Sequence, residues 1–236
     1  MQLAAVTSRK VFLLEHPRDS TVAIKGLTQR RQWAHALGII AALHEEAAEP
    51  DIINYNAATS ACQKGSQWEA AFGMLTEITE RTSEPDVISY NSATAALGKG
   101  SQWEAACWML ADMKAHELAP DIISYNSATS ACEKGEQWEQ ALRIVFVSRL
   151  HGMAAPVNAV SCGSVISACE KCAQWERALG ILASMQDLDL EPNVINYSAA
   201  ISACEKGDTH EHALELLQGM RQSGLTPDVI TYNAVI

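Results

Sequence analysis

Asn56, Asn91 and Asn126 stand 35 residues apart, and each keeps the same company. An isoleucine lies three residues before each one (Ile53, Ile88, Ile123), a small residue four after (Ser60, Ala95, Ser130) and a lysine eight after (Lys64, Lys99, Lys134). No nucleophile with an adjacent base is among them, so the pattern is one of recognition rather than bond making. A branched apolar group, an amide that both donates and accepts, and a cation at regular intervals suit a single-stranded polymer of flat bases and phosphates.

Constellations that would point to other chemistry fail on inspection. Cys169-Glu170-Lys171-Cys172 is the sole C-x-x-C, and a zinc or thioredoxin-like site would need a second ligand pair or a βαβ context. His44-Glu45-Glu46 matches the H-x-E of zinc nucleobase deaminases, but Ala168 precedes Cys169 where that signature requires proline. Gly-rich phosphate loops, H-E-x-x-H and G-x-S-x-G are all missing. The sequence therefore nominates no catalytic residue, no metal and no cofactor.

The chain that must position these residues has 236 residues, of which 48% are hydrophobic and 19% charged, with a mean hydropathy of -0.04. That composition excludes disorder and collagen. A formal charge of -11 excludes coating of nucleic acid by bulk charge, so any nucleic-acid site must be local. No apolar run reaches the roughly 18 residues a membrane helix needs, so no membrane partner is expected. Aromatic residues make up 6% and phenylalanine numbers three, too few for a thick core. Four of the seven cysteines (Cys62, Cys132, Cys169, Cys204) recur after Ser-Ala and read as small, reduced core residues.

Trp33, Trp68, Trp103, Trp138 and Trp175 fall 35, 35, 35 and 37 residues apart, and the pairs Pro50-Asp51, Pro85-Asp86, Pro120-Asp121, Pro192-Asn193 and Pro227-Asp228 keep the same register. Internal repetition of this kind governs the architecture. Six units result: 17–51, 52–86, 87–121, 122–158, 159–193 and 194–228, the fourth carrying two extra residues in HGMAAPVN. Residues 1–16 form an N-terminal extension, and 229–236 begin a seventh unit, 27 residues short of completion. This ending reads as truncation, and its apolar surface predicts end-to-end association.

Each unit spells two helices. The Asp or Asn that closes one unit is an N-cap for the next, and Gly65, Gly100, Gly135 and Gly207 sit where a glycine would close the first helix, over unit positions 1–13. The second helix opens at Ser-Gln-Trp-Glu, where Ser66 with Glu69 and Ser101 with Glu104 have capping-box spacing. A helix–turn–helix unit cannot bury its apolar face alone, so the expected fold is all-α, a right-handed α-solenoid of 35-residue repeats. Positions 4, 7, 8 and 11 of the first helix (Tyr90, Ala93, Thr94, Leu97 in the third unit) make the buried stripe. The opposite stripe, positions 2, 5, 9 and 13, carries the isoleucine, asparagine, small residue and lysine. The tryptophans open the second helix, outside the first, and read as packing residues rather than a base-stacking set.

The 35-residue period, the Pro-Asp-Val-Ile-Ser-Tyr-Asn opening, the Cys-Glu-Lys-Gly turn and the closing Asp-Met-Lys…Ala-Pro-Asp resemble pentatricopeptide repeats, the organellar RNA-binding α-solenoids. The resemblance covers 17–228 and the partial seventh unit. It implies that each unit contacts one RNA base, with position 5 and the last residue of the unit reading the base edge. The implied pairs are Thr21 with Asp51, Asn56 with Asp86, Asn91 with Asp121, Asn126 with Asn158, Gly163 with Asn193, and Ser198 with Asp228. It implies that position 2 residues (Ile53, Ile88, Ile123, Val160, Ile195) sandwich the base and that Lys64, Lys99, Lys134, Lys171 and Lys206 lie near phosphate. The implied partner is single-stranded RNA containing 5′-GUUYNG-3′, read from the N-terminal unit, in an organellar adaptor (chloroplast or mitochondrion) acting in RNA processing, stability or translation. Catalysis would come from protein partners.

Each feature has a plainer reading beside it. A terminal Asp or Asn is worth about 0.5–2 kcal/mol as an N-cap, and a lysine in the last helical turn about 0.3–1 kcal/mol against the helix dipole. Capping does not explain an asparagine, a mediocre helix former, at position 5 of a helix interior. The alternative function is a protein-binding scaffold of tetratricopeptide type, which the -11 charge favours.

Overall fold

The computed structural model describes residues 17–46, 48–81, 84–150 and 157–235. The N-terminal extension and most of the insertion in the fourth unit lie outside them. Thirteen helices and no strands are present among the described residues: α1 (Pro17–Gln29), α2 (Trp33–Glu45), α3 (Ile52–Lys64), α4 (Trp68–Glu80), α5 (Val87–Lys99), α6 (Trp103–Ala115), α7 (Ile122–Lys134), α8 (Trp138–Leu150), α9 (Ala159–Lys171), α10 (Trp175–Asp187), α11 (Val194–Lys206), α12 (His210–Gln222) and α13 (Val229–Asn233). The first helices thus occupy unit positions 1–13, as the sequence pattern requires.

Their starts are fixed by side chains. Asp51, Asp86, Asp121, Asn158, Asn193 and Asp228 all hold extended backbone and accept a hydrogen bond from the N–H three residues on. Reciprocal capping boxes close at Asp86 with Ser89, Asp121 with Ser124, Asn158 with Ser161 and Asn193 with Asn196. The boxes expected at the second helices do not form. Gln67 is the N-cap of α4 and makes no side-chain cap bond, while Ser66 and Ser101 sit at φ 58° and 57° in the left-handed region. These serines terminate the preceding helix instead: Ser66 N–H donates to Gln63 O at 3.2 Å and Gln67 N–H to Cys62 O at 2.9 Å, the paired bonds of a Schellman ending.

That turn reassigns the glycines. Gly65 has φ -78°, which any residue adopts, so conformational freedom is not why it is glycine. A Cβ there would lie 2.5 Å from Trp33 Cδ1 of the preceding repeat, and one at Gly135 would lie 2.5 Å from Trp103 Cδ1. Trp68 and Trp175 press on Gly100 and Gly207 in the same way. The tryptophans are therefore wedges between repeats. In the fifth unit Cys172 takes the glycine position, and the Arg177 guanidinium lies 5.8 Å from the Trp138 ring centre.

The described chain divides into two bodies, one taking the residues up to Gly100 with Ala111–Ala119, the other taking Ser101–Leu110 and the residues from Pro120 onward. Within the first, α1, α3 and α5 stack in sequence, and within the second α7, α9 and α11 do, α11 being followed by α13. Second helices α2, α4, α8 and α10 each pack on the first helix of their own repeat and on that of the next, as α4 does on α3 and α5. Tyr90, Ala93, Thr94 and Leu97 are fully buried, and Cys62, Cys132, Cys169 and Cys204 lie in the same row. Of the buried hydroxyls of this stripe, Thr59 and Thr129 donate to the carbonyls of Tyr55 and Tyr125 one turn back, while Thr94 Oγ1 is buried without a hydrogen bond among the described residues. Small side chains let the first helices approach closely, which is why the core needs few aromatic rings.

Candidate nucleic-acid interface

The stripe opposite the core emerges on the surface. Ile53, Ile88, Ile123, Val160 and Ile195 are 52–70% exposed, a costly placement for branched apolar side chains that recurs at position 2 of five consecutive units. Lys64, Lys99, Lys134, Lys171 and Lys206 are exposed along the same helices, while position 5 is half-buried or buried.

Between the second and third units these residues form a cleft of about 460 Å³. Ile53 and Ile88 contribute walls, Asn56 and Asp86 lie in its lining, and Lys25 and Lys64 also line it. Thirty residues apart in sequence, Asn56 and Asp86 are bonded directly: Asn56 Nδ2 donates to Asp86 Oδ1 at 3.1 Å and to Oδ2 at 3.2 Å. Asp86 Oδ1 also accepts from Ser89 N–H at 2.8 Å as the helix cap. One carboxylate therefore caps a helix through Oδ1 and receives the position 5 amide on both of its oxygens, leaving Oδ2 outside the cap.

This division holds in the other units. Asp51, Asp121, Asn158, Asn193 and Asp228 all make their cap bonds through Oδ1. Because the cap needs an acceptor, Asn158 and Asn193 must direct Oδ1 to the backbone, leaving Nδ2, a donor, as the second atom. An aspartate leaves an acceptor. At the sixth unit the Thr231 hydroxyl and N–H hold the Asp228 carboxyl below the usual carboxylate range, so it is ionised at neutral pH.

The other units are less uniform. Thr21 donates to Asn54 Oδ1 at 3.4 Å, and Ser198 Oγ lies 2.6 Å from Thr231 Oγ1. Asn126 keeps Oδ1 buried without a partner. Gly163 offers no side chain, and the Asn196 amide occupies the space a Cβ would take, 2.9 Å away, while donating to Ala159 O at 3.0 Å. Asn91 is buried at 9% exposure. The lysines also differ: Lys99 Nζ donates to Gln63 O at 2.8 Å, whereas Lys171 pairs with Glu133 at 3.3 Å and Lys206 with Glu170 at 2.8 Å. Glu133 and Glu170 are themselves residues of the first helices, one position before Lys134 and Lys171. An apolar cavity of about 290 Å³ involving Leu142, Cys162, Val165 and Ile181 holds none of the residues expected to read a base.

Position 3 is what the sequence reading missed. Asn54, Ser89, Ser124, Asn196 and Thr231 are wholly buried and Ser161 nearly so, yet all are polar. A small polar residue recurring on a buried row was the available signal, since buried polar groups persist where they are bonded.

Stacked helical hairpins whose exposed row alternates apolar and hydrogen-bonding groups define an α-solenoid repeat protein. A pentatricopeptide repeat domain model matches residues 156–207 and 180–236, and a PPR repeat model matches residues 88–118. The chain therefore carries pentatricopeptide repeats. No curated protein matches it. Among solved structures it is similar to the pentatricopeptide repeat protein PPR10 in complex with an 18-nt psaJ RNA element, at 24% identity and TM-score 0.79, covering 98% of this chain and 33% of that one. PPR10 from maize is similar at 22% identity and TM-score 0.69 over 92% of this chain and 31% of that one. The PPR domain of Arabidopsis thaliana protein-only RNase P 1, in complex with tRNA, gives 12% identity and TM-score 0.63 over 75% and 92%. These are likenesses of fold, and this chain spans about a third of the length of PPR10.

Proposed function

We propose that the chain binds single-stranded RNA, one base per repeat, as a sequence-reading adaptor. The observation that carries this is the cleft in which Ile53 and Ile88 accompany a mutually bonded Asn56 and Asp86. An exposed branched side chain from each of two repeats supplies two apolar faces for a flat base, and stacking of this kind is worth about 1–3 kcal/mol per base. At the base edge, the Asn56 amide has a second N–H beyond the one given to Asp86, and Asp86 Oδ2 accepts. A donor beside an acceptor complements the uracil edge, where a carbonyl lies next to N3–H. Two acceptors, as at Ser198 with Asp228, complement the adjacent N1–H and N2–H of guanine.

This chemistry supports 5′-GUUYNG-3′ as target, with the second base the best grounded. The fifth is left open by Gly163. Phosphate attraction rests on the lysines, which give an acidic protein a local positive strip. An organellar setting, and protein partners that supply catalysis, follow from the family resemblance.

Fluorescence anisotropy with labelled RNA containing GUUUAG, a scrambled RNA and the matching DNA tests this. The matched RNA should bind tightest, and Asn56→Ala should lower the preference for uracil over cytosine at the second base by about tenfold, equivalent to ~1.4 kcal/mol. Equal or absent binding to all three would sink the reading and favour the protein-scaffold alternative.

A further inference from the structure

We infer that the buried polar residue at position 3, where it bonds the position 5 side chain of the repeat before it, is a specificity-positioning residue for that repeat: it consumes one hydrogen-bonding function of the position 5 side chain and so fixes what that side chain presents to the base. The inference rests on the RNA reading above and assigns a third residue to the base-reading pairs of the first, second and sixth units.

Counting protons gives the assignment at Ser89. Its hydroxyl lies 2.6 Å from Asn56 Oδ1 and 2.9 Å from Asp86 Oδ1, and it has one proton for two acceptors. Asp86 Oδ1 already accepts from Ser89 N–H and from Asn56 Nδ2. The proton therefore goes to Asn56 Oδ1, the nearer atom, while Ser89 Oγ accepts from Asp86 N–H at 3.4 Å. With its oxygen held to Ser89, Asn56 turns its amide N–H groups toward Asp86 and the cleft and faces it as a donor. Without Ser89 the amide oxygen would be buried and unpaired, at the cost of its desolvation, or would turn outward as an acceptor.

Where position 5 is a hydroxyl, the same position acts in the opposite sense. Thr231 Oγ1 donates to the Asp228 carboxylate at 2.7 Å, which spends its proton, so the 2.6 Å contact with Ser198 must be Ser198 donating to Thr231. Ser198 then faces outward with lone pairs only. Asn54 repeats this arrangement: its Nδ2 is held by Asp51, so Oδ1 is turned to accept from Ser20 at 2.9 Å and from Thr21 at 3.4 Å. At Asn126 the lock is missing, since Ser161 Oγ bonds Asn158 Oδ1 at 2.8 Å and Asn126 Oδ1 has no partner. Position 3 thus sets the polarity of position 5, and the fourth unit reads its base less strictly than the second.

The test compares wild type, Ser89→Ala, Ser89→Thr and Asn56→Ala on GUUUAG RNA carrying uracil, cytosine or an abasic site at the second base, with circular dichroism to confirm folding. Ser89→Ala should lower the uracil-to-cytosine affinity ratio about fivefold, as expected for one hydrogen bond, and leave abasic RNA binding unchanged. Ser89→Thr should restore the ratio. If Asn56→Ala abolishes the ratio while Ser89→Ala keeps it, or if Ser89→Ala weakens all three RNAs equally, position 3 is structural only and the proposal is overturned. A wild-type chain with no preference at this base overturns the proposal and the RNA reading together.

Discussion

The two bodies of the chain share one backbone plan and differ in what they display. In the first, Lys64 lines the cleft, and Lys99 donates to the carbonyl of Gln63. In the second, Lys171 and Lys206 pair with Glu133 and Glu170, and one position 5 residue is glycine while another leaves its amide oxygen unpaired. The difference arises at unit position 12, which is Gln63 or Gly98 in the first body and Glu133 or Glu170 in the second. It teaches that equivalence of fold is not equivalence of site. From the second unit on, positions 2 and 13 keep their branched apolar residue and lysine in both bodies, and positions 5 and 12 are where the two differ.

The largest contrast is in stability. Leu97 fills the buried row where four other units have cysteine, so Leu97→Ala should cost about 2–5 kcal/mol in urea unfolding, against roughly 1 kcal/mol for Cys169→Ala. Equal losses would mean that the row is packed alike throughout. Next comes charge. Glu133→Gln with Glu170→Gln should release Lys171 and Lys206, raising RNA affinity and steepening its salt dependence by up to about 0.7 per freed charge that meets a phosphate. Exposed pairs of this kind are worth only about 0.2–1 kcal/mol, so little stability should be lost. An unchanged slope would take the second-body lysines out of phosphate contact.

A smaller effect is expected at Gly163→Asn. The new side chain meets the Asn196 amide, which gives up its bond to Ala159 O to make room, and should give the fifth base a uracil or cytosine preference of a few fold, read by anisotropy. No gain would show that position 5 alone does not confer readout there. The smallest effect is chemical. Burial raises the Cys62, Cys162 and Cys169 thiols to about 11, while the bond to Cys132, 3.6 Å away, lowers Cys107 below its ordinary value. Alkylation at pH 8 followed by mass spectrometry should therefore mark Cys107 before those three, because the thiolate is the reactive form. Early labelling of Cys62 would reveal local opening of the first body.

Much of this was legible beforehand in particular residues. The Trp and Pro-Asp spacings define the units, Asp86 and Asp121 mark helix starts, and the position 2 isoleucines lie on the face opposite Tyr90 and Leu97. These are local and periodic properties, set by the 3.6-residue turn and by side chains bonding their own backbone, so the sequence by itself determined them. Other features depend on which atoms of successive repeats meet. Gly65 is glycine because Trp33 presses on it, Ser66 ends a helix rather than starting one, Ser89 orients Asn56, and Glu133 neutralises Lys171. Each partner lies about 30 to 38 residues away except for the Ser66 turn, and each contact is set by the register of one helical hairpin on the next. Only the tertiary structure decided these, because stacking converts a spacing along the chain into a distance in space.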